Sequence, residues 1–314
     1  MKLVKTFLSI ILSIMLISSL FTVSLIINIS HFFKVDSMEK TIKNINISHE
    51  INKIQNSSAT SEEKSEIADI INSAYEEAEN HGISGELVDT IFDSNEVKQF
   101  LGKIVGTTTD NIINNNKEKS VTSEDFNQLI DDNIDKWIKE SNIDISDSKK
   151  EVLVIRMKSV GKGIVENLPI SENIVENIDQ DYLNIIQFIF SFKVKLILIS
   201  ISLISLVSLI LLNRKKSTWL LYSGFSTLLT SIGLISISII IFDIITYILK
   251  GYNLSFMISA FSNTLSKNVM ITGFIFLIIS LILFTIYYLK HKKTNQLSWF
   301  AFFFEKCPYN WDYR

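Results

Sequence analysis

Four long runs of uncharged, mostly apolar residues interrupt an otherwise polar chain. A helix that rises about 1.5 Å per residue needs roughly 20 apolar residues to cross the hydrocarbon core of a bilayer. A segment in lipid must also satisfy its own backbone hydrogen bonds, and a helix does so. Four transmembrane helices are therefore predicted. Their uncharged runs are Thr6 to Ser30, Leu196 to Asn213, Ser217 to Phe242 and Asn268 to Leu289.

The first run follows a basic start, Met1-Lys2-Leu3-Val4-Lys5, and so has two interpretations. A cleaved secretory signal has an apolar region of about 7 to 15 residues that ends in small residues. Here the run is longer than 20 residues and ends in Ile26-Ile27-Asn28-Ile29-Ser30. An uncleaved signal anchor over residues 1–30 is the favoured interpretation.

The polar segment between the first two spans, residues 31–190, has about the length of one typical domain. Its apolar positions recur every three to four residues, behind Ser, Thr or Asp residues that suit helix N-terminal caps. The alternation typical of a half-buried strand is not sustained anywhere in it. Five or six helices are predicted. Their apolar stripes are Ile67, Ile70, Ile71, Ala74 and Ala78; Val97, Phe100, Leu101, Ile104 and Val105; Phe126, Leu129, Ile130, Asn133, Trp137 and Ile138; Leu153, Met157, Val160, Ile164 and Leu168; and Ile174, Ile178, Tyr182, Ile185 and Ile189.

One glycine, one proline and two polar stretches mark the predicted ends of these helices. Gly82 is predicted to end the first helix, and Pro169 closes the fourth. Gln55 to Thr60 and Asn111 to Ser120 break the helical periodicity and are predicted to be surface loops.

The charges of the chain divide along the same boundaries. Residues 31–190 hold 30 of the 33 acidic residues and 16 of the 30 Lys and Arg, which gives −14, while the rest of the chain carries +11. The expected fold class is all-α: a multi-pass membrane protein with four transmembrane helices and a helical extracytoplasmic domain between spans one and two. The expected domains are the signal anchor (1–30), the acidic helical domain (31–190), a three-helix membrane domain (191–293) and an aromatic cytoplasmic tail (294–314).

Basic residues beside the spans predict the orientation, because cytoplasmic flanks are enriched in Lys and Arg. The clusters that define one side are Lys2 and Lys5; Arg214, Lys215 and Lys216; and Lys290, Lys292 and Lys293. The opposite flanks carry more diffuse lysines: Lys34, Lys193, Lys195, Lys250 and Lys267. Both termini are therefore predicted to be cytoplasmic, with residues 31–190 outside.

Three short motifs suggest chemistry and fail on inspection. Gly161-Lys162-Gly163 lacks the upstream glycine and the following Ser or Thr of a phosphate loop. His49-Glu50 begins like a zinc-protease helix, but Lys53 stands where the second histidine is required. His49 continues the apolar stripe before it and is expected to be a partly buried structural histidine. Glu77 and His81 are one helical turn apart, as in an ordinary side-chain pair.

The numerous carboxylates of residues 31–190 do not follow the spacing of a calcium loop. A solvated helical surface is the favoured interpretation, with weak calcium or basic-partner binding as the alternative. No catalytic, cofactor or metal site is predicted, and a non-enzyme is expected. The single cysteine, Cys307, lies in the tail; it is expected to be silent, with acylation as the alternative.

Asp243 is the one acidic residue in the membrane-spanning half of the chain. A carboxylate in mid-membrane is a functional candidate, which makes Asp243 a candidate for ion or proton coupling. Counting from Trp219 puts it near the outer boundary, where it can reach water or pair with Lys250 or Lys267.

Serine and glycine recur within the spans at intervals that let helix backbones approach closely, which predicts contacts among the four spans or with a partner span. They include Ser9, Ser13, Ser202, Ser205, Ser208, Gly224, Ser231 and Gly233. Gly251 to Ser266 is predicted to be an interfacial helix or a short re-entrant dip. The aromatic tail is interpreted as an interfacial anchor or, alternatively, as an accidental extension.

Richness in Ile, Asn, Lys, Phe and Ser, together with an exported segment that lacks cysteine, favours a bacterial cytoplasmic membrane protein. The leading hypothesis is a non-enzymatic envelope protein whose outside domain binds a protein, peptide or ligand. The alternative is a small transport or channel component that uses the spans and Asp243. The lipid bilayer is an expected partner, a homo-oligomer is a further expectation, and nucleic acid is not expected.

Overall fold

The computed structural model describes residues 2–50, 66–114, 121–167, 180–214, 217–251 and 258–305, and in these ranges every regular element is a helix. Four of the helices are long and apolar enough to cross a membrane. Their candidate spans are Leu3–Phe32, Phe192–Asn213, Trp219–Ile245 and Ala260–Lys292. The all-helical class and the four candidate membrane-spanning helices are thus confirmed.

The helices are α1 (Lys2–Phe32), α2 (Val35–Lys43), α3 (Glu66–Asn80), α4 (Gly85–Phe92), α5 (Asn95–Asn114), α6 (Ser123–Glu140), α7 (Asp147–Asn167), α8 (Gln180–Phe190), α9 (Phe192–Asn213), α10 (Trp219–Gly251) and α11 (Ile258–Glu305). A short helical segment also covers residues 47–50.

The chain divides into two compact units. The first, called the span unit, consists of Met1–Leu25, Leu196–Ser236 and Met270–Arg314. The second, called the helical unit, consists of Ile26–Lys195 and Ile237–Val269. The helical unit thus includes the whole polar segment between the first two spans and also the ends of several span helices.

Helix α5 lies at the centre of the helical unit, where it packs against α2, α4, α6 and α8. Helix α7 packs against α3 and α6. In α3, α5, α6 and α7 the side chains that these contacts bury follow the predicted apolar stripes, whereas in α8 Leu183 is buried and the predicted stripe residues Tyr182, Ile185 and Ile189 are exposed. The buried members are Ile71, Ala74, Ala78, Val97, Phe100, Leu101, Ile104, Val105, Phe126, Ile130, Trp137, Leu153, Met157, Val160 and Ile164. The periodicity therefore identified the core faces of α3, α5, α6 and α7.

Local capping explains where several of these helices begin and end. Thr122 and Asp125 form a reciprocal capping box at the start of α6, and Ser84 caps α4. Gly82 has φ +64°, and the Ile83 N–H donates to the Ala78 carbonyl at 2.8 Å, so this glycine ends α3 as predicted.

The helical unit has more helices than the periodicity predicted. The described part of residues 31–190 contains seven helices, α2 to α8, rather than five or six. Helix α5 also runs through Asn114, into the stretch predicted to be a loop from Asn111. Residues 51–65, 115–120 and 168–179, with the predicted loop at 55–60 and with Leu168, Pro169, Ile174 and Ile178, lie outside the described residues.

The described part of the segment predicted to be interfacial or re-entrant, Gly251 and residues 258–266, belongs to two long helices, and residues 252–257 lie outside the described residues. Helix α10 extends to Gly251, and Ile258 begins a helix that continues through the fourth span. In the helical unit, Phe261 and Val269 are buried, and the Phe261 ring meets Phe32 edge-to-face at 5.6 Å. This start of α11 is therefore packed against protein. The tail remains helical to Glu305, and Cys307 lies outside the described residues.

Two glycines one turn apart let α5 approach α2 closely. A Cβ atom added at Gly102 would lie 2.5 Å from the Cα of Glu39, and one at Gly106 would lie 2.6 Å from the Cα of Val35. Backbone atoms cannot move aside as the end of a flexible side chain can. This Gly-x-x-x-Gly spacing therefore sets the distance between the two helices.

Gly161, from the failed phosphate motif, has a packing role of its own. It lies in α7, and a Cβ atom there would overlap the ring of Phe126 on α6. The neighbouring Gly163 is less constrained, since its Cβ would meet the Ile70 side chain at 3.3 Å. The sequence suggested only a weakened helix, whereas the structure shows that Gly161 leaves room for an aromatic ring.

Replacing Gly102 by alanine is expected to lower the free energy of unfolding of the helical unit by about 1–3 kcal/mol, because the added methyl overpacks the α2–α5 contact. Gly163→Ala is the matched control and should change it by less than about 1 kcal/mol, since alanine favours a helix and Ile70 can yield. The readout is urea unfolding followed by the fluorescence of buried Trp137 after Trp219, Trp299 and Trp311 are changed to Phe. Equal stability of the two glycine variants would contradict the close-approach argument.

Candidate functional site

Asp243 lies on an exposed side of α10, within the helical unit. Its exposed neighbours are apolar: Ile239, Ile240, Phe242 and Ile244. At 1.5 Å per residue, Asp243 lies about 36 Å along the helix from Trp219, which exceeds the roughly 30 Å of hydrocarbon core. The carboxylate is therefore placed at the edge of the candidate span and faces outward.

The lysines predicted to pair with Asp243 do not provide a described partner. Lys267 is exposed and forms no ion pair with Asp243, and the side chain of Lys250 lies outside the described residues. A carboxylate that passes ions or protons through one copy of the chain would lie on the buried side of a helix. The outward position of Asp243 does not match that placement.

The predicted topology residues are exposed wherever their side chains are described, namely at Lys5, Arg214, Lys290 and Lys292. Among the described ion pairs, none involves these four residues. Lys2 and Lys293 are described only as helical backbone, and Lys215 and Lys216 lie outside the described residues. The four exposed cations are thus available to lipid headgroups.

Polar side chains join α1 to α9 in the span unit. The amide of Asn213 donates to Ser9 Oγ at 2.9 Å, and the Ser202 hydroxyl donates to Ser19 Oγ at 2.8 Å. Asn213 also accepts a hydrogen bond from Thr218 through Oδ1 at 3.2 Å. In lipid such bonds between helices stabilise a bundle because water is not available as an alternative partner.

Helix α10 is joined to its neighbours through backbone carbonyls. Ser226 donates to the Ser13 carbonyl at 3.3 Å, and Ser280 donates to the Gly224 carbonyl at 2.9 Å. At Gly273 of α11 a Cβ atom would lie 2.8 Å from the Ile235 side chain. The predicted helix-to-helix role of small residues is observed for Ser9, Ser13, Ser202 and Gly224. Asn213, Ser226 and Ser280 were not singled out, although each is a polar residue in an apolar helix.

Some hydroxyl groups in the span unit are buried without a hydrogen-bond partner in the described structure. They belong to Ser205 on α9 and to Ser223, Thr230 and Ser231 on α10. Each of these residues is at most 1 % exposed. The last three recur at the spacing of one helix face, so α10 presents a polar strip to the interior of the span unit.

The histidine expectations are only partly met. Met38, Ile42 and Ile45 are buried as their spacing suggested, but His49 is exposed, so the expectation of a partly buried histidine is wrong. The helix breaks at residues 44–46, so the buried positions after the break no longer follow the spacing of Met38, Ile42 and Ile45.

Glu77 and His81 do not form a metal site in the structure. His81 is exposed in the turn after α3, and Glu77 is bound instead to Arg156 Nε at 3.0 Å. Among the described residues, no group of three or more His, Cys, Asp or Glu side chains could hold a metal ion.

Asp93 organises a polar cluster in the helical unit. The Ile47 N–H donates to Asp93 Oδ1 at 2.8 Å, the Ser48 hydroxyl donates to Oδ2, and the Lys98 ammonium lies 3.0 Å from Oδ1. These partners fix the start of the 47–50 segment to the junction of α4 and α5. Ser48 is 6 % exposed, so its hydroxyl is not accessible as a nucleophile. The cluster therefore acts as a structural clasp.

Tyr75 extends the clasp to α3. Its hydroxyl donates to Asp89 Oδ1 at 2.6 Å, and its ring stacks on Phe92 with centroids 6.4 Å apart. Burial, followed by the hydrogen bond and charge of Asp89, raises the pKa of Tyr75 far above its ordinary value. Tyr75 is therefore held neutral and is unsuited to give up a proton near neutral pH.

Lysines and carboxylates also connect α5, α6 and α7. Lys158 binds Asp131 at 2.7 Å, Lys150 binds Asp135, and Lys136 binds Glu96 at 2.6 Å. These acidic side chains serve contacts between helices. They are partly solvent-exposed, so each bridge contributes little on its own but adds to the alignment of the helices.

Comparison of the chain with protein-family models, with curated proteins and with solved structures finds no match. Function is therefore argued from the contacts, burial and charge of this chain alone.

The Glu96–Lys136 pair predicts a specific pH dependence. The hydrogen bond that Lys136 donates to Glu96 is the main cause that lowers the pKa of Glu96 in the folded chain. The resulting stability is present above the ordinary pKa of a glutamate, about 4.3, and is lost as the pH falls through the lower folded pKa. Lys136→Met should therefore lower the urea midpoint at pH 6, and the difference from the unchanged chain should shrink below about pH 4.

Lys139→Met is the control for this prediction, since Lys139 is exposed on the same helix and forms none of the described ion pairs. It should leave the midpoint close to that of the unchanged chain at both pH values, as read by Trp137 fluorescence. A deficit of Lys136→Met that stayed constant down to pH 3 would contradict the assignment to Glu96.

Proposed function

We propose that the chain is a non-enzymatic integral membrane protein of a bacterial cytoplasmic membrane. Its helical domain, residues 31–190, lies outside the membrane and binds a protein or peptide partner. The four candidate spans anchor this domain and join it to the cytoplasmic termini.

One observation carries the proposal. The described clusters of Asp, Ser, Tyr, Lys and Glu side chains that could take part in a reaction form contacts that hold helices together. Asp93 accepts hydrogen bonds from backbone and serine and pairs with Lys98, while Tyr75 is held neutral by Asp89. Glu77 binds Arg156 rather than forming a site with His81. Among the described residues of the domain, the outer surface of a packed set of helices is what these contacts leave for function, and it suits recognition of another molecule.

The charge of the domain favours a basic partner. Residues 31–190 carry −14, and several carboxylates, including Asp132, Glu76 and Glu79, are exposed and form none of the described ion pairs. A strongly acidic surface attracts basic proteins and speeds their association at low ionic strength. A positively charged protein or peptide surface is therefore the partner that the domain fits best.

The orientation rests on the distribution of lysine and arginine. The segment between α9 and α10 carries Arg214-Lys215-Lys216, and Lys290 and Lys292 lie at the end of the fourth candidate span. Cytoplasmic flanks are enriched in such residues. Because an even number of spans returns the chain to its starting side, the same assignment puts both termini in the cytoplasm.

A transport or channel function is the second candidate, favoured by the unpartnered buried hydroxyls of Ser205, Ser223, Thr230 and Ser231. Polar groups along the inside of a helix bundle are what a passage for water or ions would use. It ranks second because Asp243, the one acidic residue of the spans, faces outward rather than toward this strip.

The proposed orientation predicts which cysteines a membrane-impermeant maleimide can reach in intact cells. In a Cys307→Ser background, Asp132→Cys should be labelled without permeabilisation, since Asp132 is exposed on the domain placed outside. Lys292→Cys, at the exposed last residue of the fourth candidate span, should be labelled only after permeabilisation. The reverse pattern would overturn the proposed topology.

The binding proposal predicts charge-dependent crosslinking in living cells. A photo-crosslinking residue that replaces Ile155, which is exposed on α7, is introduced into the full-length chain. It should capture one basic protein. Capture should fall several-fold in the triple variant Glu76→Gln, Glu79→Gln and Asp132→Asn, because the attraction is electrostatic. The control triple variant, Lys40→Gln, Lys43→Gln and Lys139→Gln, removes exposed cations and should not reduce it.

Two further variants separate the two candidate functions. If the Asp243→Asn chain lost the cellular phenotype that the unchanged chain supports, while a chain without residues 40–180 kept it, the binding proposal would fail and the transport alternative would be favoured. Loss of the phenotype on removal of residues 40–180, with Asp243→Asn unchanged, is the result that the binding proposal expects.

A further inference from the structure

Helix α8 is apolar on two opposite sides, and only one of them is covered. It packs against α5 with Leu183 buried. On the other side, Tyr182, Ile185, Phe188 and Ile189 are between 41 % and 65 % exposed. Their spacing of three, three and one residues puts them on one helix face, which we call the α8 apolar face.

This concentration of bare apolar side chains sets α8 apart within the helical unit. Among the described residues from Val35 to Asp181, Ile155 is the only large hydrophobic residue that is comparably exposed. Leaving apolar surface in water costs about 25 cal/mol for each Å², and a contiguous patch of large side chains marks an interaction surface. We therefore expect another molecule to cover the α8 apolar face.

The position of α8 next to a candidate span indicates that lipid covers this face. Only Ser191 separates Phe190, the end of α8, from Phe192, the start of a candidate span. One residue reaches about 3.6 Å at most, so the end of α8 cannot leave the edge of the membrane. Phe192 is 76 % exposed, and exposed apolar residues continue along α9. The α8 apolar face thus continues, along the chain, a surface that a membrane span presents to lipid.

Three lysines lie at the same edge of the helical unit. Lys195 donates to Ser30 Oγ at 2.7 Å, and Lys34 is close enough to act on it through its positive charge. Lys193 is exposed and is the second residue of α9, whose first turn contains no acidic residue. None of the three forms an ion pair with an acidic residue in the described structure.

Neighbouring ammonium groups without a counter-ion repel each other, and a phosphate oxygen between or beside them relieves that repulsion. Anionic phospholipids supply such phosphates at the depth where a span begins, and basic side chains near a membrane are attracted to them. The aromatic rings of Tyr182, Phe188 and Phe192 suit the same interfacial layer.

We propose that α8 is an interfacial helix that binds anionic phospholipid: its apolar face lies against acyl chains, and Lys34, Lys193 and Lys195 bind headgroup phosphate. The domain is thereby held at the membrane surface by a contact additional to the spans. This inference is independent of the protein partner proposed above, because it assigns a lipid to a different surface.

The depth of α8 is tested with a fluorescent label on the full-length chain in phospholipid vesicles. In a Cys307→Ser background, an environment-sensitive dye is attached at Phe188→Cys or, as a second probe of the same face, at Ile185→Cys. The matched control is Ile155→Cys, an exposed apolar position on α7. The dyes on α8 should show blue-shifted emission and quenching by brominated acyl chains, whereas the dye at 155 should show neither. If both α8 dyes were as water-exposed as the control, the proposal would be overturned.

The lipid class is tested by carrying the bromines on either phosphatidylglycerol or phosphatidylcholine in vesicles of the same overall composition. Brominated phosphatidylglycerol should quench the dye at 188 about two-fold more strongly or better, because the lysines enrich it locally. Lys34→Gln with Lys195→Gln should remove this preference while the blue shift remains. The control pair Lys40→Gln and Lys43→Gln, exposed on α2, should retain it. Equal quenching by the two lipids in the unchanged chain would overturn the assignment to anionic phospholipid.

Discussion

A polar group that leaves water is stabilised when it finds another polar partner, and such pairs recur in both units of the chain. In the span unit the amide of Asn213 meets Ser9 and the Ser202 hydroxyl meets Ser19, so the polar positions on one helix select positions on another. Apolar side chains alone would not make that selection, because a leucine packs against lipid about as well as against protein. The register of α1 against α9 is therefore set by a few hydroxyl and amide groups.

Such pairs also shape the helical unit, where the alternative to a protein partner is water. Buried Lys98 is paired with Asp93, and Asp93 also satisfies the Ile47 N–H at the start of a short helix. A buried charge that lost its partner would cost several kcal/mol, so removing one member of the clasp affects the others. This interdependence makes the clasp a structural element, and it explains why an arrangement of serine, aspartate, tyrosine and lysine need not imply catalysis.

Much of the fold was predictable where one physical signal was strong. Long apolar runs revealed the spans, and the three- to four-residue spacing revealed α5, α6 and α7. Helix α4 was missed because eight residues give too few repeats for periodicity, whereas the stripe of Met38, Ile42 and Ile45 marked α2. The Gly102–Gly106 spacing is present in the sequence, but its role in the close approach of α5 to α2 is seen only when the two helices are packed together. Bridges such as Lys158–Asp131 depend on the packing of α7 against α6, which local spacing does not encode.

The side on which Asp243 lies was beyond sequence periodicity for a different reason. Span three carries Asp243 as its only charged residue, and its Ser, Thr and Gly residues predict helix contacts without fixing where Asp243 lies relative to those contacts. The structure shows Asp243 exposed, while the unpartnered hydroxyls of Ser223, Thr230 and Ser231 are buried. An acid that was meant to exchange protons with a buried polar strip would have to lie on the strip's side of the helix. Its exposure beside apolar residues at the end of the span instead suits contact with interfacial water, as the anchoring role proposed for the four helices expects.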